Sequence, residues 1–161
     1  MGPSRATHVT ILTLALWVVA GSLRAQPAPV AATADQDLRF GAVLPGLATV
    51  VPRTDAVNAG RFQIRGAKNT EVVVQLTLPS AMTAPGGAQL LLSFGNTDGG
   101  FGTRPAIGAS QSFDPSLPLV AQLSQSGRLY LWLGGTVQPL PTQAAGDYAA
   151  TITVTVAYTG N

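Results

Sequence analysis

The sequence predicts an all-β protein, an antiparallel β-sandwich of about seven strands. Three observations predict this class. From Leu38 onward, short apolar runs are separated by glycine, proline, asparagine and aspartate. Two of these runs alternate apolar with polar residues, and no segment shows a helical period. Alternation places successive side chains on opposite faces, so each such strand has a core face and a wetter face.

The predicted strands occupy separate runs along the chain. They are Leu38–Val43, Ala48–Val51, Arg61–Arg65, Glu71–Leu78, Ala88–Phe94, Arg128–Val137 and Tyr148–Tyr158. Turns are expected at Pro85–Gly87 and Asn96–Gly100, because these residues tolerate positive φ or accept local hydrogen bonds. Phe101–Gln125 is the longest irregular stretch, and it is either a functional loop or holds a weak strand around Leu117–Leu123.

The last predicted strand alternates most clearly. From Tyr148 to Tyr158, every second residue faces one way, and the residues between them are alanines and threonines. The run Leu129–Leu133 is instead apolar on both faces. This pattern predicts a central strand, or a strand whose outer face meets a partner.

The N-terminal residues are typical of an exported protein. Arg5 and His8 precede the apolar stretch Val9–Ala20, which is too short for a membrane span. We therefore expect residues 1–25 to be a signal peptide cleaved after Ala25, with an uncleaved membrane anchor as the alternative. Residues 26–37 are expected to form a flexible arm and residues 38–161 the β-sandwich domain. The protein is then secreted, to the periplasm or the cell surface.

Composition excludes several kinds of catalytic site. The chain has 161 residues and no cysteine, and its single histidine, His8, lies in the expected leader. Without imidazole or thiol, the mature chain cannot form a Ser-His-Asp or Cys-His nucleophile, a zinc site with such ligands, an iron–sulfur cluster or a disulfide. Two of the nine basic residues also fall in the leader, which leaves seven basic and seven acidic residues. We expect no enzyme activity, cofactor, metal or nucleic-acid partner.

Two groups of side chains are candidates for a ligand surface. Arg61 and Arg65 share one strand face, which either meets sulfated glycans or lipid phosphates or is a solvated outer face. Tyr130 and Trp132 share a face of another strand, where they either stack on sugar rings or pack in a core or interface. The second interpretation is favoured for each group.

The glycines and strand ends of the chain resemble those of a known family. The segments concerned are Leu38–Gly41, Gly60–Gly66, Leu78–Pro79, Leu133–Thr136 and Gly146–Tyr158. They resemble a family of secreted bacterial proteins that is classed as a domain of unknown function. That family is similar in pattern to spore coat protein U domains and to chaperone–usher pilins. The resemblance implies an immunoglobulin-like, pilin-like β-sandwich.

The resemblance also implies a structural or adhesive subunit of a pilus, fimbria or coat. Pilins end in a glycine, an alternating apolar strand and a tyrosine, and an assembly chaperone pairs with the edge of that strand. The corresponding assembly edge here comprises Gly146, Tyr148, Ile152, Val154, Val156 and Tyr158. Expected partners are a periplasmic chaperone, an outer-membrane usher, and further copies or sister subunits. The alternative function is a self-contained secreted binding module for surface glycans.

Overall fold

A computed structural model describes residues 28–160. The predicted signal peptide and its cleavage site lie outside these residues. The described chain forms twelve strands and a 3₁₀ helix, Ile107–Ala109. The strands are β1 (Ala31–Gln36), β2 (Thr49–Val51), β3 (Gly60–Arg65), β4 (Glu71–Thr77), β5 (Ala81–Thr83), β6 (Gln89–Ser93), β7 (Gly99–Gly102), β8 (Gln111–Phe113), β9 (Leu119–Gln122), β10 (Arg128–Leu133), β11 (Gly135–Gln138) and β12 (Thr153–Tyr158). In this part of the chain, no helix is long and apolar enough to cross a membrane.

The strands form three antiparallel sheets. Sheet A has the order β1-β3-β10-β7-β8, sheet B the order β2-β11-β6-β5, and sheet C the order β12-β4-β9. Side chains from sheets A and C share one hydrophobic core. The structure therefore confirms the predicted all-β antiparallel class, with twelve strands where about seven were expected.

The first core lies between sheets A and C. Its side chains come from alternate positions of the strands, as expected for strands that turn one face inward. The buried residues are Phe62, Ile64, Val72, Val74, Leu76, Leu119, Ala121, Leu123, Leu129, Leu131 and Leu133. Of the two positions predicted for Leu129–Leu133, the structure shows the central one, because β10 lies between β3 and β7.

The second core lies on one face of sheet B. Its buried residues are Leu90, Leu92 and Val137, and the half-buried side chains of Phe40, Val43, Met82, Phe94 and Tyr148 pack against them. Phe40, Val43 and Tyr148 come from segments without regular structure. Sheet B is therefore covered largely by irregular chain, whereas sheets A and C cover each other.

The chain passes from sheet A to sheet B at Gly134, between β10 and β11. The Gly134 amide donates to the carbonyl of Asp98 at 2.9 Å. A Cβ at this position would overlap the carbonyl oxygen of Val51, so a side chain does not fit. The run Arg128–Val137, predicted as one strand, is therefore two strands in two sheets.

Other segments also differ from the prediction. Ala31–Gln36 lies in the expected flexible arm but forms β1, which pairs with β3. This pairing uses backbone groups, which leave no apolar pattern in the sequence. Leu38–Val43 was predicted as a strand but is irregular chain over sheet B. The long stretch Phe101–Gln125 contains β8 and β9, and β9 lies where a weak strand was considered.

Candidate functional site

The predicted assembly edge is divided between two regions of the structure. Ile152, Val154, Val156 and Tyr158 pack against the first core and are half-buried. The exposed side chains of Thr153, Thr155 and Ala157 alternate with those of β12 that face the core. Val154, Val156 and Tyr158 therefore belong to one strand, β12, with a core face and a solvent face, and Ile152 directly precedes it.

Gly146 and Tyr148 lie in the other region, so the prediction that the last strand begins at Tyr148 is wrong. Ala149 forms a bridge with Thr83 of β5, in sheet B, and β12 begins only at Thr153. The Tyr148 ring packs against the second core. Its hydroxyl accepts a hydrogen bond from Gln143 Nε2 at 2.6 Å and donates to the carbonyl of Ala144 at 2.7 Å. The apolar side chains of the alternating run Tyr148–Tyr158 therefore pack in two places. Tyr148 packs against the second core, and those from Ile152 onward pack against the first.

Strand β12 is an edge strand, and it pairs with β4 along its whole length without a register shift. Its sequence, TVTVAY, has no charge and no proline. Since β12 has no neighbour on its other side in the described chain, alternate backbone groups along that side have no strand to pair with.

The other edge strands of residues 28–160 are each shortened or modified. β2, β5 and β8 have three residues each. β9 has four residues and follows Pro118. β1 has six residues, but its register with β3 shifts between Ala34 and Gln36, and it carries Asp35. Short length, bulges and charges are devices that prevent edge-to-edge pairing. Strand β12 has none of them.

The Tyr158 hydroxyl holds the C-terminal end of β12 through two hydrogen bonds. This group accepts a hydrogen bond from the Ala67 amide at 2.6 Å and donates to the carbonyl of Ala28 at 2.5 Å. A Cβ on Gly66 would lie 2.6 Å from the same oxygen and 2.9 Å from a methyl group of Leu123. A residue larger than glycine would therefore displace the tyrosine, which joins β12 to the β3–β4 turn and to the chain before β1.

Tyr130 and Trp132 lie side by side on the outer face of sheet A, opposite Gln63 and Arg61 of β3. Their rings are stacked, with centroids 6.3 Å apart and planes 26° apart. Their exposed fractions are 7% and 3%. A sugar-stacking platform requires open ring faces, so the structure does not support this role for the two rings.

Arg61 and Arg65 share the face of sheet A that carries the two rings. Arg65 is exposed, and its Nε donates to the Gln63 side chain at 2.7 Å. The Nε atom of Arg61 has no hydrogen-bond partner and lies 3.8 Å from a carboxylate oxygen of Asp35. Arg65 is therefore engaged within its own strand, and Arg61 lies beside a carboxylate of β1.

A turn held by Asp55 borders the Trp132 ring. Ala56, Ile107 and Trp132 line one small cavity. The Asp55 carboxylate accepts hydrogen bonds from the Asn58 side chain at 2.9 Å and from the backbone amides of Val57 and Asn58. These bonds hold the pKa of Asp55 below its ordinary value, the Asn58 side chain contributing most. The carboxylate thus stabilises a structural turn at one border of the aromatic pair.

A cavity of about 620 Å³ lies beside the second core, and no residue pattern predicted it. It is lined by the segment that follows β1 and by the segment that contains Tyr148, with Met82 and Leu90 from sheet B. Both segments were predicted as strands in whole or in part, so their irregular course was not expected. Pro139, which lines the cavity, is the sequence signal that β11 ends at Gln138.

Within residues 28–160, no group of three or more His, Cys, Asp or Glu side chains is arranged to hold a metal ion. The Asp114 carboxylate accepts hydrogen bonds from the Ser116 hydroxyl and the Ser116 amide. These bonds lower its pKa, and the hydroxyl has the larger effect. This carboxylate, like Asp55, holds a turn.

Comparison with known sequences gives a family and no named relative. None of the curated proteins matches the chain. The model of one family, described as Domain of unknown function (DUF4402), matches residues 46–158. The matched range contains β2 to β12, including the unprotected edge and most of the cavity lining, and excludes β1. Because the match covers most of its length, the chain belongs to the DUF4402 family.

Proposed function

We propose that the protein is a non-catalytic, exported structural or adhesive subunit of a pilus-, fimbria- or coat-like assembly, joined to its neighbours by strand pairing at β12. The observation that carries the proposal is the edge of β12. It is six residues long, regular and uncharged, whereas the other edge strands of the described chain are shortened or modified. An edge of this kind pairs readily with another strand.

The packing beneath β12 supports the same proposal. On β4, the adjacent strand of sheet C, Val72 and Val74 are completely buried. Val154 and Val156 of β12 also face the first core, yet they are only half-buried. A further strand beside β12 would cover these two side chains. The free energy of pairing would then include apolar burial in addition to backbone hydrogen bonds.

Strand β1, on the facing sheet, contributes only small side chains at this side of the core. Its residues opposite the core strand β3 include Ala32 and Ala34, which pair with Ile64 and Phe62. Alanine fills little volume, and Ala34 is exposed although its partner Phe62 is buried. These small side chains of β1 therefore give Val154 and Val156 of β12 little apolar cover from the facing sheet.

Six of the twelve strands lie in an order like that of an immunoglobulin-like sandwich without its last strand, whereas β8, β9 and sheet B have no counterpart in it. In such a sandwich, strands A, B, E and D form one sheet, and C, F and G form the other. Sheet A has β1, β3, β10 and β7 in the first order, and sheet C has β12 next to β4, as F lies next to C. A seventh strand, G, would pair with β12. We infer that a second protein supplies it.

The chemistry of the edge defines the partner as an extended segment with alternating apolar side chains. A periplasmic chaperone would supply it before assembly, and a sister subunit or a second copy would supply it in the fibre, with an outer-membrane usher between the two stages. This scheme follows the resemblance to pilins and spore coat protein U domains drawn from the sequence, and it requires the secretion that the sequence predicts. The glycan-binding alternative would require a surface other than the covered rings of Tyr130 and Trp132.

The test compares the two edges of sheet C. Thr155 and Ala157 lie on the exposed face of β12, opposite Gln75 and Val73 of β4. We propose the double variant Thr155→Lys/Ala157→Lys, which adds charge to the edge without altering a core side chain. Lysine on an edge strand opposes pairing, so we expect the dissociation constant for self-association to rise at least about tenfold. Sedimentation velocity over a concentration series measures it.

The control is a matched pair at the opposite edge of the same sheet. Val120→Lys/Gln122→Lys places the same charges on the exposed face of β9, where Val120 also lies opposite Val73. This variant should associate like the wild type. Urea denaturation of both variants establishes that each is folded. Equal loss of association in both variants, or a wild type that is monomeric at every concentration, would overturn the proposal.

A further inference from the structure

The second core contains a cavity whose lining is mainly apolar. The cavity has a volume of about 620 Å³, within the range of small-molecule sites in proteins. Its apolar walls are formed by Phe40, Val43, Met82, Leu90, Pro139 and Tyr148. The thioether of Met82 can adopt several conformations and thus adjust to the shape of a bound molecule. These walls bring aromatic and aliphatic surfaces together around one space.

The cavity exists because sheet B has no second sheet facing it. In the first core, side chains of two sheets fill the space between them. In the second core only Leu90, Leu92 and Val137 are buried, and irregular segments of chain cover them. Such segments place fewer apolar side chains per unit of area than a strand does. Space therefore remains between them and the sheet.

The polar side chains of the lining already have partners within the protein. Gln143 Nε2 donates to the carbonyl of Gln89 at 3.0 Å and to the Tyr148 hydroxyl at 2.6 Å. The hydroxyl in turn donates to the carbonyl of Ala144, and Gln143 Oε1 accepts from the Leu140 amide. These bonds hold the segment that closes the cavity. The Gln143–Tyr148 pair therefore has no hydrogen left to donate to a ligand.

Charge is confined to the exposed side chains of the lining. Arg39 and Asp147 are the charged residues that line the cavity, and both are exposed. Arg39 lies 3.4 Å from the carboxylate of Asp37 at the surface. A charged ligand placed against the apolar walls would lose its hydration away from these two exposed side chains, which is unfavourable. An uncharged ligand has no such cost.

From these observations we propose that the cavity is a binding site for a small, uncharged, apolar molecule, an aromatic ring system or an aliphatic chain. The ligand is recognised by shape and apolar contact with Phe40, Met82 and Tyr148. This site is independent of the edge of β12, because it belongs to the second core and β12 packs on the first. The protein would then combine assembly with the carriage of a small apolar compound.

The first experiment is titration of the protein with N-phenyl-1-naphthylamine, an uncharged probe whose fluorescence rises in apolar surroundings. The wild type should show saturable enhancement with one site. Met82→Trp places an indole in the cavity and should weaken binding at least about tenfold, because the probe and the indole compete for the same volume. The matched control, Thr83→Trp, changes the next residue of β5, which points to the other face of sheet B and is exposed. It should bind like the wild type.

A second measurement does not depend on how well Met82→Trp folds. The chain has two methionines, Met1 and Met82. Labelling the methionine methyl groups with carbon-13 therefore gives at most two signals, and Met82→Leu identifies the one in the cavity. The probe should shift the Met82 signal in proportion to site occupancy.

Three results would overturn the proposal. The first is a titration without saturation, and the second is equal binding by Met82→Trp and Thr83→Trp. The third is a Met82 signal that responds to protein concentration but not to the probe, since a second copy of the chain would then occupy the cavity.

Discussion

The first core is enclosed by two sheets, whereas the second is enclosed by one sheet and by irregular chain. In the first, Ile64, Leu129 and Leu131 are almost completely buried, and strands on both sides fill the interior. In the second, most of the side chains that cover the sheet are only half-buried, and a cavity remains. The comparison teaches that a facing sheet fills the space over a β-sheet, whereas irregular chain leaves part of that space open.

The two cores also differ in where they are incomplete. The first core is filled in its centre and open at one side, where Val154 and Val156 of β12 are half-buried. The second core is incomplete where the irregular segments cover sheet B, at a partly open cavity. An open side of a sandwich suits an extended segment, whereas a concave apolar cavity suits a small molecule. This difference is why we propose a strand partner for one region and a small ligand for the other.

The largest effect should come from Leu131→Ala in the first core. Leu131 is 1% exposed and lies in the central strand of sheet A, where its neighbours cannot collapse into the space left by the side chain. We expect the free energy of unfolding to fall by about 3–5 kcal/mol. Urea denaturation, with the slope compared to that of the wild type, measures the change. A loss below about 1 kcal/mol would show that the first core is not tightly packed.

The same substitution in the second core should cost less. Leu92 is 7% exposed and belongs to a cluster bordered by irregular chain and the cavity. We expect Leu92→Ala to lower the free energy of unfolding by about 1–3 kcal/mol, because flexible segments and water can occupy part of the space. The denaturation protocol is the one used for Leu131→Ala. If the two substitutions cost the same, the difference in packing between the cores has no energetic consequence.

The smallest effect compares the tyrosine hydroxyls at the two cores. Tyr158→Phe removes hydrogen bonds to Ala67 and Ala28, which are far apart in the chain, and we expect a loss of about 1–2 kcal/mol. Tyr148→Phe removes only local bonds to Gln143 and Ala144, and it should cost less than about 1 kcal/mol. Thermal unfolding gives the order of the two variants, and faster hydrogen exchange at the Ala67 amide should accompany Tyr158→Phe alone. The reverse order would mean that the β12 end is not held by this hydroxyl.

Several parts of the fold could be predicted from residue patterns. The alternation in Glu71–Leu78 predicts one face with Val72, Val74, Leu76 and Leu78; the first three are buried and Leu78 is half-buried against the first core. The apolar run Leu129–Leu133 gave a central strand as one of two possibilities, and β10 is central. These predictions succeed because a strand buried on one face must alternate and a strand buried on both faces cannot.

Other parts could not be predicted, for identifiable reasons. Strand β1 has alanine, threonine and aspartate where an apolar pattern was sought, since β1 is held by backbone pairing with β3 and by the Gln36 side chain, which donates to the carbonyl of Ala59 at 2.7 Å. The alternation from Tyr148 to Tyr158 was predicted as one strand. In the structure its first residues lie beside β5 of sheet B, and its last six form β12 of sheet C. The cavity could not be predicted from a residue pattern, because its walls come from segments that are distant in the chain.

The sequence by itself determined the all-β class, the core strands β3 and β4, and the absence of cysteine from the chain. Each follows from composition or from the two-residue period of a strand. Only the tertiary structure decided which strands lie at edges, that β12 is the long edge without a protective device, and that Tyr130 and Trp132 are covered. It also decided that the second core is unfilled. The neighbours of a strand and the exposure of its side chains depend on tertiary contacts between distant segments. The residue pattern of a single strand does not specify those contacts.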